Sequence, residues 1–304
     1  NDVQNFCCKN KMDFIAASFV QTGEDVQLIR KILDEAGGQS VKIISKIENE
    51  EGIANFDEIL KYTDGVMVAR GDLGMEIPSE KVPLAQKMLI TKSNVAGRFC
   101  ICATQMLESM CTNPLPTRAE MTDVANAVFD GADATMLSGE TANGANPAIA
   151  VATMAAISAN AELAHTSQAA ISFIRDHTQR PFTTLESAAA SAAGGAVDCD
   201  AELIVVVTGT GAASRVMSKY RPSCPVLVVT ADEAVGRQTG AIFAQFPMVV
   251  DDLSPGKFAW DKESPAIAKA KEMGLYSGNG SNIVVLAGPG GGDADKCPLV
   301  SFLE

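Results

Sequence analysis

Over residues 12–164 the chain repeats one order five times: a short apolar run, a polar residue at its end, then an amphipathic stretch. The apolar runs cover residues 12–19, 41–47, 66–69, 99–103 and 134–137. The periodicity predicts helices near 24–36, 52–62, 82–96, from 118 onward and over 147–164, with a short helical turn after Arg70. Isoleucine- and valine-rich runs alternating with helices are the pattern of βα units whose parallel strands are covered on both faces. An open doubly wound sheet accepts five such units, but polar residues at every strand end converge better in a closed barrel, which needs eight. The expected fold class is therefore α/β: a partial TIM (β/α)8 barrel of five βα units, with the first three barrel units lying outside this chain, followed by a small three-layer α/β domain.

That second domain is read from a new alternation. A helix is expected at 186–197, a strand at 203–207, a helix at 212–220 and a strand at 226–229, continuing through 234–244, 264–273 and 283–286. Ser254-Pro255-Gly256 and the run from Gly288 to Gly292 carry turn chemistry. The expected division is 1–165 for the barrel part, 166–185 for a linker and helix containing Arg180-Pro181, and 186–304 for the C-terminal domain. Proline disfavours helix in the residue before it, which places a boundary there.

Composition excludes several classes of function. A hydrophobic content of 47% is ample for a core. No apolar stretch reaches the roughly 18–20 residues that cross a bilayer, and no signal peptide heads the chain, so a soluble, cytoplasmic protein without a membrane partner is expected. A net charge of -13 argues against a broad nucleic-acid surface. It leaves room for a local cluster of Lys46, Arg70 and a cation that reverses the sign inside one cleft. Eight dispersed cysteines indicate reduced thiols, and two histidines with a Cys100-x-Cys102 spacing do not make a zinc site. His165 and His177 are expected to be structural or solvated, and Met106, Met110 and Met121 to pack helices.

Chemistry concentrates in two strings, KIISKIENEE at 42–51 and VMVARGDLGMEIP at 66–78. They place Lys46, Glu48 and Asp72 just beyond the ends of two buried strands, where a parallel α/β fold keeps its chemistry. Two carboxylates flanking one lysine suggest a hard divalent cation and an anionic substrate, because Mg²⁺ needs only one or two protein carboxylates. Each residue alone has a plainer account: a strand-edge salt bridge for Lys46 and Glu48, a helix cap for Asp72, satisfied hydroxyls for Thr104 and Ser138.

The surrounding strings outweigh those accounts. ISKIEN at 44–49, MVARGDLG at 67–74, ICATQMLESM at 101–110, PTRAE at 116–120, VANAVFDGAD at 124–133 and MLSGETA at 136–142 occur in one order that closely resembles the pyruvate kinase family. The resemblance spans nearly the whole chain and weakens after about residue 247. It implies transfer of the phosphoryl group of phosphoenolpyruvate to ADP, giving pyruvate and ATP in glycolysis. It also implies that barrel strands four to eight are present here, while the first three strands and a lid domain are not. Mg²⁺ (or Mn²⁺) is implied, held by Glu48 and Asp72, together with K⁺, whose ligands belong to the missing part.

The family likewise implies Lys46, Thr104 and Ser138 as catalytic residues, and Lys46, Gly71, Asp72 and Thr104 as substrate-binding residues. The backbone N–H groups of Gly71 and Asp72 would face the substrate carboxylate, and Thr104 would relay a proton with Ser138. Glu140 and Arg118 are expected as outer or interface groups. Thr208, Thr210 and Ser214, after Gly209-x-Gly211, are implied to hold the phosphate of a sugar-phosphate effector such as fructose 1,6-bisphosphate. Ala212 and Ala213 replace polar residues of strongly regulated members, and the loop 288–293 lacks arginine. The competing account of this loop is a plain turn, with Trp260 as local core or surface packing. A homotetramer with allosteric control is the implied assembly. The competing reading is a non-catalytic half-barrel that binds a partner through an unpaired strand edge. A different Mg²⁺-dependent enolate lyase is a third, though it has no need of MLSGETA or a second domain.

Overall fold

The apolar runs become strands in the order in which they occur. The computed structural model describes residues 2–164, 166–256 and 263–303. A seven-residue π-helical segment, Asp2–Cys8, precedes β1 (Phe14–Ala17), α1 (Gly23–Glu35), β2 (Lys42–Ile47), α2 (Glu50–Ala54), α3 (Phe56–Tyr62), β3 (Gly65–Ala69) and α4 (Arg70–Glu76). Then come α5 (Val82–Ala96), β4 (Phe99–Ala103), α6 (Arg118–Phe129), β5 (Ala134–Met136), α7 (Gly139–Ala142) and α8 (Pro147–Glu162). The five strands pair in parallel in the order β1-β2-β3-β4-β5. An order that never reverses is an arc of a barrel, because a doubly wound sheet turns back at a switch point.

Strand periodicity explains which residues face the helices. Ile43, Ile47, Val66, Val68, Cys100 and Cys102 alternate along β2, β3 and β4 and join one buried cluster with Phe56, Ile59, Leu89, Ile90, Met106 and Met110. The cysteines of this unit are free thiols, and burial pushes that of Cys102 up to about 11. Met106 and Met110 are core residues as expected, whereas Met121 is exposed. The opposite face carries Ile44 and Lys46 beside Met67 and Ile101.

The helix expected over 52–62 is two helices, α2 and α3, meeting at Asn55. The Asn55 side chain donates to the Gln21 carbonyl at 3.0 Å, which fixes the break in place. At Gly65 the chain passes directly over Phe99. A Cβ there would lie 2.5 Å from Phe99 Cε1, and Phe99 is itself packed edge-on to Phe14 at 5.6 Å. Gly65→Ala is expected to destabilise this unit by about 1–3 kcal/mol through overpacking, measurable as a lower urea midpoint.

The chain divides into two compact units, Asn1–His165 and Thr166–Glu304. The second begins with α9 (Ser167–His177) and α10 (Thr184–Asp198), with a cis Arg180-Pro181 bond between them. The segment expected as linker and helix thus buries Ile171 and Ile174 in the core of the second unit. The unit continues through β6 (Leu203–Val207), α11 (Ala212–Lys219), β7 (Val226–Thr230), α12 (Glu233–Gln238), β8 (Gln245–Val249), α13 (Pro265–Glu272), β9 (Ile283–Ala287) and β10 (Leu299–Leu303).

Its sheet order is β10-β9-β6-β7-β8, with β10 alone antiparallel. Ile204, Val206, Val226, Val228, Val284 and Leu286 pack on the α9–α10–α11 side, and Leu203, Val205, Leu227, Val229, Ile283 and Val285 on the α13 side. This two-sided burial makes three layers and accounts for unbroken apolar strings such as LIVVV. The outer strands β8 and β10 went unforeseen. Each is half exposed, and Pro247 interrupts the pattern of β8. His165 and Trp260 lie outside the described residues. No single helix among the described residues is long and apolar enough to cross a membrane.

Candidate active site

The chemistry-bearing residues of the first unit gather at the C-terminal edge of its sheet. Lys46 sits inside β2, not beyond it, on the face opposite Ile43 and Ile47. Glu48 follows two residues later on the same face, so its carboxylate meets the ammonium: Lys46 Nζ lies 2.6 Å from Glu48 Oε1 and donates to Ser18 Oγ at 2.9 Å. Glu48 is 1% exposed, and its Oε2 accepts the Phe19 N–H at 2.5 Å. Glu48 Oε1 contacts Lys46 as an ion pair without an aligned hydrogen bond, so it remains a buried oxygen with spare acceptor capacity.

Asp72 lies in the first turn of α4, directly after β3, the strand that pairs Met67 with Lys46 and Val68 with Ile47. Its half-buried carboxylate makes no ion pair or hydrogen bond among the described residues. A buried carboxylate with one under-used oxygen and a second carboxylate with none used form a donor set suited to a hard cation. Lys46, Glu48 and Asp72 therefore issue from neighbouring strand ends, with Lys46 and Glu48 in direct contact.

Thr104 closes the same edge from the end of β4. Its backbone is left-handed at φ +71°, and Gln105 follows at φ +53°. Its hydroxyl accepts the Gly71 N–H at 2.6 Å and donates to the Ala103 carbonyl at 2.6 Å. The Gly71 amide expected to face a substrate is thus committed to Thr104, and the Thr104 proton is directed at a carbonyl. Ser138, after β5, has a buried Oγ without a hydrogen-bond partner among the described residues, and Thr104 and Ser138 make no direct hydrogen bond.

Two further groups hold this edge together. Arg70, expected to cluster with Lys46 and a cation in one cleft, is 9% exposed and engaged by its own neighbours. Its fork donates to the carbonyls of Thr104 (2.7 and 3.1 Å) and Gln105 (3.0 Å), to Gln86 Oε1 (3.2 Å) and to Asp123 Oδ1 (2.7 Å). Burial disfavours its charge, but the hydrogen bond to Asp123 together with the charges of Cys102 and Asp123 outweighs that and leaves the guanidinium pKa above its usual range. Glu140 is fully buried and accepts from Leu107 N at 3.0 Å and Ser138 N at 2.7 Å. It staples the loop after β4 to the loop after β5. A cavity of about 460 Å³ beside α4, lined by Arg70, Gly71, Met75, Val82, Gln105 and Asp123 among others, reaches only Gly71 of the expected substrate residues.

In the second unit, the turn after β6 is a nest of amides and hydroxyls with an occupant from within the chain. The Asp295 carboxylate accepts from Thr208 Oγ1 (2.9 Å to each oxygen), Thr210 N (2.8 Å), Thr210 Oγ1 (2.7 Å) and Ala213 N (2.8 Å). Ser214 Oγ turns to the Gly211 carbonyl at 3.1 Å. Burial raises the Asp295 pKa, but the donors of Thr210, Ala213 and Thr208 outweigh it and hold the carboxyl below its ordinary value. A folded pKa below the unfolded one, about 3.9, stabilises the fold fully above that pH, and the contribution is lost as pH falls through the depressed value. Asp295→Asn is expected to flatten the acid limb of the stability–pH curve, which thermal melts at stepped pH would show.

Comparison with known proteins agrees with this architecture. Family profiles described as pyruvate kinase, barrel domain, and pyruvate kinase, alpha/beta domain, match residues 1–151 and 186–298. The chain is 48% identical over 286 residues to a pyruvate kinase of Lachancea kluyveri, covering 93% of this chain and 57% of the relative. It is 45% identical over 285 residues to one of Clostridium acetobutylicum, covering 93% and 59%. A crystal structure of a Cryptosporidium parvum pyruvate kinase aligns with a TM-score of 0.92 at 45% identity, over 99% of this chain and 60% of that one. A second, of the Cryptosporidium parvum enzyme in complex with ADP, aligns at 0.90 and 44%, over 99% and 61%. The chain thus spans little more than half the length of the relatives it matches. Two matched domains in the family's order, an unreversed parallel arc, and Lys46, Glu48 and Asp72 at its C-terminal edge lead to one assignment: the chain belongs to the pyruvate kinase family.

Proposed function

We propose that this chain supplies the phosphoryl-transfer centre of a pyruvate kinase, moving the phosphoryl group of phosphoenolpyruvate to ADP to give pyruvate and ATP. The observation that carries the reading is the contact of Lys46 with Glu48 on the open face of β2, with Asp72 one strand away. Glu48 and Asp72 would hold Mg²⁺ or Mn²⁺, which when bound neutralises charge on the substrate's oxygens. Lys46 places a fixed ammonium beside the transferring group, where it counters charge that spreads over the phosphoryl oxygens.

Thr104 acts chiefly through position, since its hydroxyl ties the first turn of α4 to the end of β4. Ser138, the buried hydroxyl without a partner, is better placed than Thr104 to hold a proton-relaying water. The K⁺ ligands, cytoplasmic location and homotetrameric assembly are inferred from the family, with the K⁺ ligands in the part of the relatives that this chain does not span.

The experiment is a lactate-coupled assay of this chain alone and of the chain joined to the N-terminal segment of a relative. Turnover is expected only from the joined form, and only with a divalent cation. A joined, folded form that binds the cation but transfers no phosphoryl group would overturn the proposal and favour the binding-only reading.

A further inference from the structure

We infer that Asp295 is a built-in anionic ligand of the nest after β6, and that it keeps this loop from taking up phosphate groups from solution. The argument begins with donor supply. A phosphate at a helix N-terminus is held by backbone N–H groups and hydroxyls gathered around its oxygens. In this turn the Thr210 and Ala213 amides and the Thr208 and Thr210 hydroxyls all point to one carboxylate, that of Asp295. The Thr208 hydroxyl also accepts the Gly211 N–H at 2.9 Å, and Thr208 is fully buried, so it cannot swing outward without loosening the turn.

Asp293 fixes the arrangement. Its Oδ1 accepts from Gly209 N at 2.9 Å and from Asp295 N at 3.0 Å, which ties the loop after β9 to the turn after β6. Glycine at 209 is what permits this approach, because a Cβ there would lie 2.7 Å from Asp293 Oδ2. Two carboxylates therefore stand where a dianion would arrive. Among the described residues, the nearby cations are Lys296, 84% exposed and 4.0 Å from Asp293, and Arg215, which donates to the Thr210 carbonyl at 3.2 Å. A ligand tethered to its own fold acts at an effective concentration of mM or more, so a free phosphate must displace a competitor that is always present. This inference concerns the second unit alone and stands whether or not the phosphoryl-transfer reading holds.

The test is chemical rescue in the 304-residue chain with inorganic phosphate as the probe. Asp295→Ala is expected to lower the melting temperature of the second unit by roughly 3–8 °C. About 50 mM phosphate, against chloride at matched ionic strength, should restore at least half of that loss while moving the unsubstituted chain by under about 1 °C. The ³¹P line of phosphate should broaden with the variant and stay sharp with the parent. Equal stabilisation of parent and variant by phosphate, or a folded variant that phosphate does not touch, would overturn the inference. If Asp295→Ala does not fold, amide exchange in the parent decides: protected Thr210 and Ala213 amides uphold the contact, and amides exchanging at free-chain rates refute it.

Discussion

Replacing Lys46 by Met in the joined, catalytically complete form is expected to lower phosphoryl transfer by roughly 10²–10³-fold, the usual cost of removing one preorganised charge that faces the transition state. The ammonium is 22% exposed and held from two sides, by Glu48 at 2.6 Å and Ser18 at 2.9 Å, so little reorganisation is needed as charge develops beside it. The loss should appear in kcat more than in KM for phosphoenolpyruvate, because the charge acts most strongly on oxygens that gain negative charge during transfer. The same substitution removes the cation facing a carboxylate that is 1% exposed. Glu48 should then hold a divalent cation at least as tightly as before, which Mn²⁺ titration followed by water-proton relaxation would report. Activity within threefold of the parent, with the cation bound, would show that Lys46 is only a partner for Glu48.

The second large effect is on stability. Arg70→Ala should destabilise the first unit by about 2–4 kcal/mol, because it deletes a nearly buried guanidinium and leaves two carbonyls and an amide oxygen without their charge-assisted donors, while Asp123 keeps 36% of its side chain in water. Asp123 would lose its 2.7 Å partner, and the carbonyls of Thr104 and Gln105 would face the vacated space without donors. Those two residues are the ones held at positive φ, so the loss falls on backbone that is already costly to maintain. Arg70→Lys should recover little, since one ammonium cannot reproduce a fork that reaches two carbonyls, an amide oxygen and a carboxylate together. Urea unfolding of both variants, with an Asp123→Ala double-mutant cycle, would measure the coupling. A loss under about 1 kcal/mol for Arg70→Ala would mean that water replaces the fork freely.

Much of this was legible in the sequence because local pattern and tertiary environment agree. Buried runs such as LIVVV admit few readings besides a two-sided strand, and Lys46 and Glu48 stood out as polar residues that packing does not explain. The clasp around Arg70 was not legible, because its partners Gln86 and Asp123 lie 16 and 53 positions away and no local spacing announces them. The left-handed backbone of Thr104 has no local signature, since threonine rarely adopts it without outside support. Asp295 was invisible for a related reason: its partners in the nest lie 82 to 87 residues earlier, and no local spacing announces such a contact. The outer strands β8 and β10 were lost because half-exposed strands carry a weaker apolar signal than central ones.

The arc formed by β1 to β5 has a practical cost for anyone producing this polypeptide by itself. Its outermost members, four and three residues long, present main-chain donors and acceptors with no neighbouring strand among the described residues. Such borders adhere to one another, and parallel pairing is slow to form. Recovery after dilution from denaturant should therefore fall as concentration rises, and supplying the remaining barrel strands in the same polypeptide should raise it.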